Sequence, residues 1–193
     1  SFNHELGPGA LPTRRSTNEI KAVISPHAGY PFSGPCAAWV YKHVAESAVP
    51  RTYIILGNSH QGSPSCISKQ NFKTPLGKVT TNLDLAKELI AKTDLSVDER
   101  AHRFEHSIEV QLPFLQFANK DNLSKLKILP IIIGPTQNYK KIAKQIKEVT
   151  KEKNVVFIAS SDFTHYGPSY NFVPFTENIK ENLYDLDKKA IEK

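Results

Sequence analysis

A chain of 193 residues, 39% hydrophobic and 23% charged, is long enough to bury a sizeable core and has the composition of a globular protein. Its apolar runs, such as residues 128–134, are far too short to span a bilayer, and no secretory pattern opens it, so neither a membrane nor an export signal is expected. Its two cysteines form no CxxC pair or disulfide framework, which predicts a reducing, cytoplasmic setting.

The net charge of +6 invites nucleic acid, but the pattern of charge argues against it. Lysines 140, 141, 144, 147, 151 and 153 lie along one helical segment with Glu148 and Glu152 among them, and no aromatic is interleaved to stack on bases. That is a solvated face. The chain lacks methionine, opens mid-element with SFNHEL and closes on the amphipathic run YDLDKKAIEK. One α/β domain over residues 1–193 is therefore expected, as the core of a longer protein with further N- and C-terminal segments.

After the Gly/Pro-rich LGPGALPT comes a short β-branched strand, Ala22–Ser25, followed by Pro26-His27-Ala28-Gly29. SGPCAAWVYKHVAES reads as a helix with Cys36, Val40 and Val44 on one apolar stripe, so Cys36 is expected to be structural. A strand at Tyr53–Gly57 runs into Asn58-Ser59-His60, and CISKQNFKTPLGKV reads as a small strand pair with a Pro/Gly turn. NLDLAKELIAKT is a helix with Leu85 and Leu89 inward. In RFEHSIEVQLPFL, Glu105-His106 opens a helical run with Ile108, Leu112 and Leu115 on its inner stripe. A strand at Lys127–Ile133 precedes a helix capped by Asn138, with Ile142, Ala143, Ile146 and Val149 on one face. The last strand, Val155–Ala159, leads to Ser161-Asp162-Phe163-Thr164-His165. Strands apolar on both faces, alternating with helices, predict a three-layer α/β fold whose mixed sheet is mostly parallel and flanked by helices.

Three of these strands are followed by a loop that carries a histidine: His27, His60 and His165. Open α/β sheets bind ligands beyond the carboxyl ends of their strands, so the three imidazoles are expected together at one end of the sheet. Gly29 and Gly62, two residues after His27 and His60, are expected to let the chain turn closely. Neutral imidazole is a common ligand for iron and zinc and an acid–base near neutral pH. His106, placed before the first turn of its helix, is a fourth candidate, and Asp162 stands three residues before His165, close enough to orient it. Tyr30 and Phe32, just after His27, are expected to wall the crevice against substrate. His4, His43 and His102 read as surface or helix residues. No GxSxG elbow, P-loop, GxGxxG, HExxH or Cys-rich pattern is present, which removes the usual serine hydrolase, nucleotide and zinc-peptidase readings.

SPHAGYPFSG, ILGNSHQG, EHSIEVQLPFL and SSDFTHYG, in this order, resemble the signatures of the Memo family, and lysine-rich, cysteine-poor character fits an archaeal member. The resemblance implies a fold similar to the catalytic subunits of class III extradiol dioxygenases, which use non-haem iron(II). It implies that His27 and His60 are metal ligands, that His165 is an acid–base, and that Asp162 and His106 line the pocket. The third ligand, a carboxylate in those dioxygenases and a cysteine in Memo proteins, is expected beyond Lys193, and the family's first Gly-x-x-Tyr segment is absent. An iron-dependent oxidoreductase acting on a small molecule is the expected function, with zinc or copper as other metals for the same site. A phosphopeptide-binding module is the second reading and zinc-assisted hydrolysis the third. Nothing in the sequence sets an oligomeric state.

Overall fold

The computed structural model describes residues 1–135 and 138–192, whose contacts fall into two compact units, Ser1–Ser161 and Asp162–Lys193. In chain order the first unit contains β1 (Ala22–Ser25), α1 (Tyr30–Ala45), β2 (Thr52–Asn58), β3 (Cys66–Ile67), β4 (Phe72–Thr74) and β5 (Gly77–Thr81). It continues with α2 (Leu83–Lys92), β6 (Ser96–Val97), α3 (Glu99–Arg103), α4 (Gln111–Ala118), β7 (Lys127–Ile133), α5 (Tyr139–Thr150) and β8 (Val155–Ser160). The second unit carries α6 (Ile179–Ile191); Lys193, the last position of the expected closing helix, lies outside the described residues. Among the described residues no helix is long and apolar enough to cross a membrane.

The sheet runs β1-β8-β2-β7-β3-β6, with β5 also on β7 and β4 on β5. Contacts β1–β8, β8–β2, β2–β7, β5–β7 and β3–β6 are parallel, while β3–β7 and β4–β5 are antiparallel. Pro130 lies inside β7 yet costs little. It falls where the partner of β7 changes from β5, paired up to Ile128, to β3, paired from Ile131.

Side chains alternate between the two faces of a strand, and here each face is covered. Tyr53, Ile55, Ile128, Ile132, Val156 and Ile158 pack with Tyr41 and Val44 of α1 and Leu112 and Leu115 of α4. Ile54, Leu129 and Ile131 face the other way, against Leu85 and Leu89 of α2 and Ile142, Ile146 and Val149 of α5. The result is the expected three-layer, mostly parallel α/β fold.

Several local expectations are corrected. Cys36 is exposed. The buried face of α1 carries Gly34, Ala37, Ala38, Tyr41, Val44 and Ala45 instead. Steps of four residues around a 3.6-residue turn drift by about 40° each, so a line from Cys36 through Val40 to Val44 starts outside the buried face and ends inside it. Ala143 on α5 is likewise exposed, leaving Ile142, Ile146 and Val149 as its inner stripe. Cys66–Ile67 joins the main sheet rather than the hairpin, which is confined to β4 and β5. His102 is a helix residue as expected but is buried. Gly62 adopts φ +72°, whereas Gly29 has an ordinary φ of −51° and serves as the N-cap of α1.

The Gly/Pro-rich approach is fastened by one side chain. Arg15 donates to the carbonyls of Ala45 (2.9 Å) and Ser47 (3.2 Å) after α1 and of Ala118 (2.6 Å) at the end of α4, and forks onto Asp121 with two 2.8 Å contacts. Helix C-termini leave carbonyls without intrahelical partners, and here one guanidinium serves two helices at once.

Candidate metal centre

β8 lies between β1 and β2 and all three run parallel, so their carboxyl ends emerge side by side. His27 follows β1, His60 follows β2, and Ser160 closes β8 between them. A fourth segment approaches the same end, the turn at residues 105–110 that leads into α4. The inner-stripe expectation holds for Ile108, Leu112 and Leu115, but helix proper starts only at Gln111. That turn lies close because residue 57 has no side chain. A Cβ on Gly57 would stand 2.6 Å from both Ile108 Cγ1 and Ser107 Oγ. The Ser107 hydroxyl also accepts from Asn58 N at 3.0 Å, tying the turn to the end of β2.

Three imidazoles converge here: His27, His60 and His106. Ring centroids are 5.3 Å apart for His27–His60, 5.8 Å for His27–His106 and 4.6 Å for His60–His106. One ligand atom from each lies within 4.8 Å of the others. His27 is 2% exposed. The side chains of His60 and His106 are 38% and 56% exposed, so the cluster opens from a buried floor toward solvent.

Two of the rings are held from behind. His60 Nδ1 lies 2.8 Å from Glu105 Oε1, and Glu105 also accepts from the backbone N–H of His60 (2.9 Å) and of Ser107 (2.8 Å). Burial resists ionisation of Glu105, but those backbone donors, the His60 ring and the Ser107 hydroxyl outweigh it and hold its carboxyl at about 2. An ionised carboxylate only accepts, so His60 donates from Nδ1 and its Nε2 is turned away from Glu105. His27 Nδ1 lies 2.9 Å from Ser160 Oγ. Among the described residues His106 has no equivalent anchor. Its Nδ1 is 3.9 Å from Glu105 Oε1, beyond hydrogen-bonding reach.

These residues fit a divalent transition metal in kind, since neutral imidazole suits iron, zinc and copper, and the carboxylate behind His60 is the usual outer partner of such a ligand. Two nitrogens bonded to one ion at about 2.1 Å stand at most about 4.2 Å apart, so the cluster must tighten slightly to close on an ion. His106 is the most exposed of the three.

Tyr30 is the first residue of α1; its hydroxyl donates to Val110 O at 3.2 Å and its ring meets Phe114 edge-on. Phe32, two residues further along the helix, is 83% exposed. Asp162 and His165 belong to the second unit, where His165 Nε2 is 3.9 Å from Asp162 Oδ2 and its ring lies 4.9 Å from that of Tyr170. Phe163 between them adopts φ 62°, a conformation that costs a non-glycine residue about 1–3 kcal/mol and is commonly kept where a loop must present particular side chains. The sequence reading passed over Ser160, Ser107 and Gln111. The available signal was polarity on an inward stripe: Gln111 sits among Ile108, Leu112 and Leu115 and is 0% exposed.

Comparison with known proteins agrees with the four motifs. The Memo family profile, described as Memo-like protein, matches residues 2–193. The chain is 39% identical over 203 residues to a MEMO1 family protein of Sulfurisphaera tokodaii, an alignment that covers 99% of this chain and 70% of the relative. It is 39% identical over 199 residues to a MEMO1 family protein of Methanopyrus kandleri, covering 98% and 69%. A MEMO1 family protein of Metallosphaera sedula is 39% identical over 206 residues, covering 100% and 71%. The chain therefore belongs to the Memo family.

Proposed function

We propose that this end of the sheet holds a redox-active divalent metal, iron(II) first among them, and that the protein is a metal-dependent oxidoreductase acting on a small molecule. The observation that carries the reading is the pairing of two imidazoles anchored through Nδ1, His27 on Ser160 and His60 on Glu105, with a third imidazole within reach. His27 and His60 hold the ion through Nε2. When bound, the ion supplies Lewis-acid polarisation of a substrate oxygen and, as iron(II), one-electron chemistry.

The chain's own residues do the rest. Glu105 and Ser160 keep the two rings from rotating. His106, untethered at the exposed side, accepts a proton from a substrate hydroxyl or lends a third nitrogen to the ion. The resemblance assigns proton transfer also to His165 with Asp162, and a third protein ligand to a cysteine outside these residues. Tyr30 and Phe32 offer aromatic surface to substrate.

Electrostatics favour a metal over a phosphopeptide. The ionised Glu105 lies 2.8 Å from His60 and 3.9 Å from His106, where it attracts a cation and repels a phosphate. The deciding experiment is an anaerobic iron(II) titration of the protein beside its His27→Ala variant. Saturable binding that the variant loses supports the reading; identical, non-saturating curves end it.

A further inference from the structure

We propose that Ser160 locks His27 in the tautomer that carries its proton on Nδ1 and presents Nε2 as a bare lone pair. Three groups meet the Ser160 hydroxyl: the Ser107 carbonyl at 2.6 Å, the Gln111 amide nitrogen at 2.9 Å and His27 Nδ1 at 2.9 Å. A serine hydroxyl has one proton to give and two lone pairs to receive with. The Ser107 carbonyl only accepts, and two bare oxygens 2.6 Å apart would repel, so the single proton goes there.

Gln111 only donates at this point. Its nitrogen also faces the Pro26 carbonyl at 2.8 Å, and its oxygen receives the Tyr41 hydroxyl at 2.8 Å. Turning the amide over would set oxygen against the Pro26 oxygen, so its orientation is fixed by its partners. Gln111 fills one lone pair of Ser160. The remaining lone pair can only receive a proton, and His27 Nδ1 must supply it.

Burial makes this assignment firm. Tyr41, Ser107, Gln111, Ser160 and His27 are each 2% exposed or less, so a broken link leaves a buried polar group rather than a hydrated one. The network stands or falls as a unit, and it spans the ends of β1 and β8, the 105–110 turn, α1 and α4. Ser160 is thus a positioning residue: it acts on the ion only through His27. A metal takes the imidazole nitrogen that bears no proton, so the lock readies Nε2 before any ion arrives. That consequence rests on the metal reading above; the tautomer itself does not.

The test uses the metal-free protein at mildly alkaline pH, where imidazoles are neutral. Long-range 15N–1H correlation spectra report which ring nitrogen of His27 bears the proton, and calorimetric titration with Zn²⁺ alone reports affinity. The proton is expected on Nδ1 in the wild type and in Ser160→Thr, which keeps the hydroxyl. In Ser160→Ala it should move to Nε2 or exchange between both, with Zn²⁺ bound about 10–100-fold more weakly. A wild-type spectrum with the proton on Nε2 overturns the proposal, as does an unchanged Nδ1–H in folded Ser160→Ala. Should Ser160→Ala fail to fold, the wild-type spectrum decides alone. Spectra as expected with no Zn²⁺ binding by any variant would uphold the lock and sink the metal reading.

Discussion

Glu105 Oε1 and His60 Nδ1 stand 2.8 Å apart, and the carboxylate side of that pair is 3% exposed. A buried charge is tolerated only when its lone pairs find donors, and Glu105 finds them in the His60 ring and in two backbone N–H groups. The carboxylate therefore fixes a ring and a backbone turn together. Glu105→Gln keeps the shape but places an amide N–H₂ against a group that also donates. It should cost about 2–3 kcal/mol of stability in denaturant titration and weaken Zn²⁺ or iron(II) binding about tenfold or more.

The same residue sets part of the acid stability. Its folded-state value of about 2 lies below its ordinary 4.5, so the unfolded chain takes up a proton first as pH falls. The contribution is complete above about pH 4.5 and drains away as pH drops toward 2. A thermal-melting series of metal-free protein from pH 6 downward should show this loss, with a shallower acid limb in Glu105→Gln. Parallel limbs in the two proteins would place the acid sensitivity elsewhere.

Gly57 is the simplest handle on the approach of the histidine-bearing turn. A methyl group there meets Ile108 and Ser107, 1% and 0% exposed, neither of which has space to retreat. Gly57→Ala should destabilise the fold by about 1–3 kcal/mol and push His106 away from His27 and His60. The signature to look for is weaker metal binding at temperatures where the variant is still folded. Wild-type affinity with reduced stability would mean that the turn relaxes without moving His106.

The strands and two of the strand-end histidines, His27 and His60, were readable because each depends on near neighbours: β-branched runs make a strand, and a polar residue after it marks a loop at its end. Ala22–Ser25 and Lys127–Ile133 are found as expected, and His27 and His60 meet. Other features depend on partners distant in sequence. Ser160 closes a strand like any small polar residue until His27, 133 positions away, rests on it, and Gln111 looks like an interruption of an apolar stripe until Pro26 and Tyr41 give it partners. Cys36 was misread for a different reason. The sequence around α1 is apolar on more than half of its circumference, and periodicity alone cannot choose among overlapping stripes.

That misreading has a direct chemical consequence. Cys36 is exposed, whereas Cys66 at the start of β3 is 1% exposed and its thiol is pushed up to about 11 by burial, with Asp98 and Glu99 adding to the shift. Thiolate is the reactive form, so native protein near neutral pH should react with Ellman's reagent at Cys36 and leave Cys66 untouched until denaturant is added. Mass spectrometry of the partly labelled protein identifies the site. Label on Cys66 in native buffer would contradict the packing of β3.

Arg15 offers the strongest purely structural test. Its guanidinium gathers carbonyls from the ends of α1 and α4 and pairs with Asp121 through two nitrogens, so it joins the approach segment to both helices of one layer. Asp121 is largely exposed, and the ion pair alone is worth no more than about 1 kcal/mol. The carbonyl contacts weigh more, because Ala45 and Ala118 are 6% and 4% exposed and Arg15→Ala would strip a charged donor from their carbonyls. A loss of about 2–4 kcal/mol is expected in Arg15→Ala. Arg15→Lys separates the two contributions: an ammonium keeps the charge but cannot reach both helix ends and Asp121 with a planar fork, so it should recover less than half of the loss. Full recovery with lysine, measured by chemical denaturation at low and high salt, would show that charge rather than the forked geometry holds the two helix ends together.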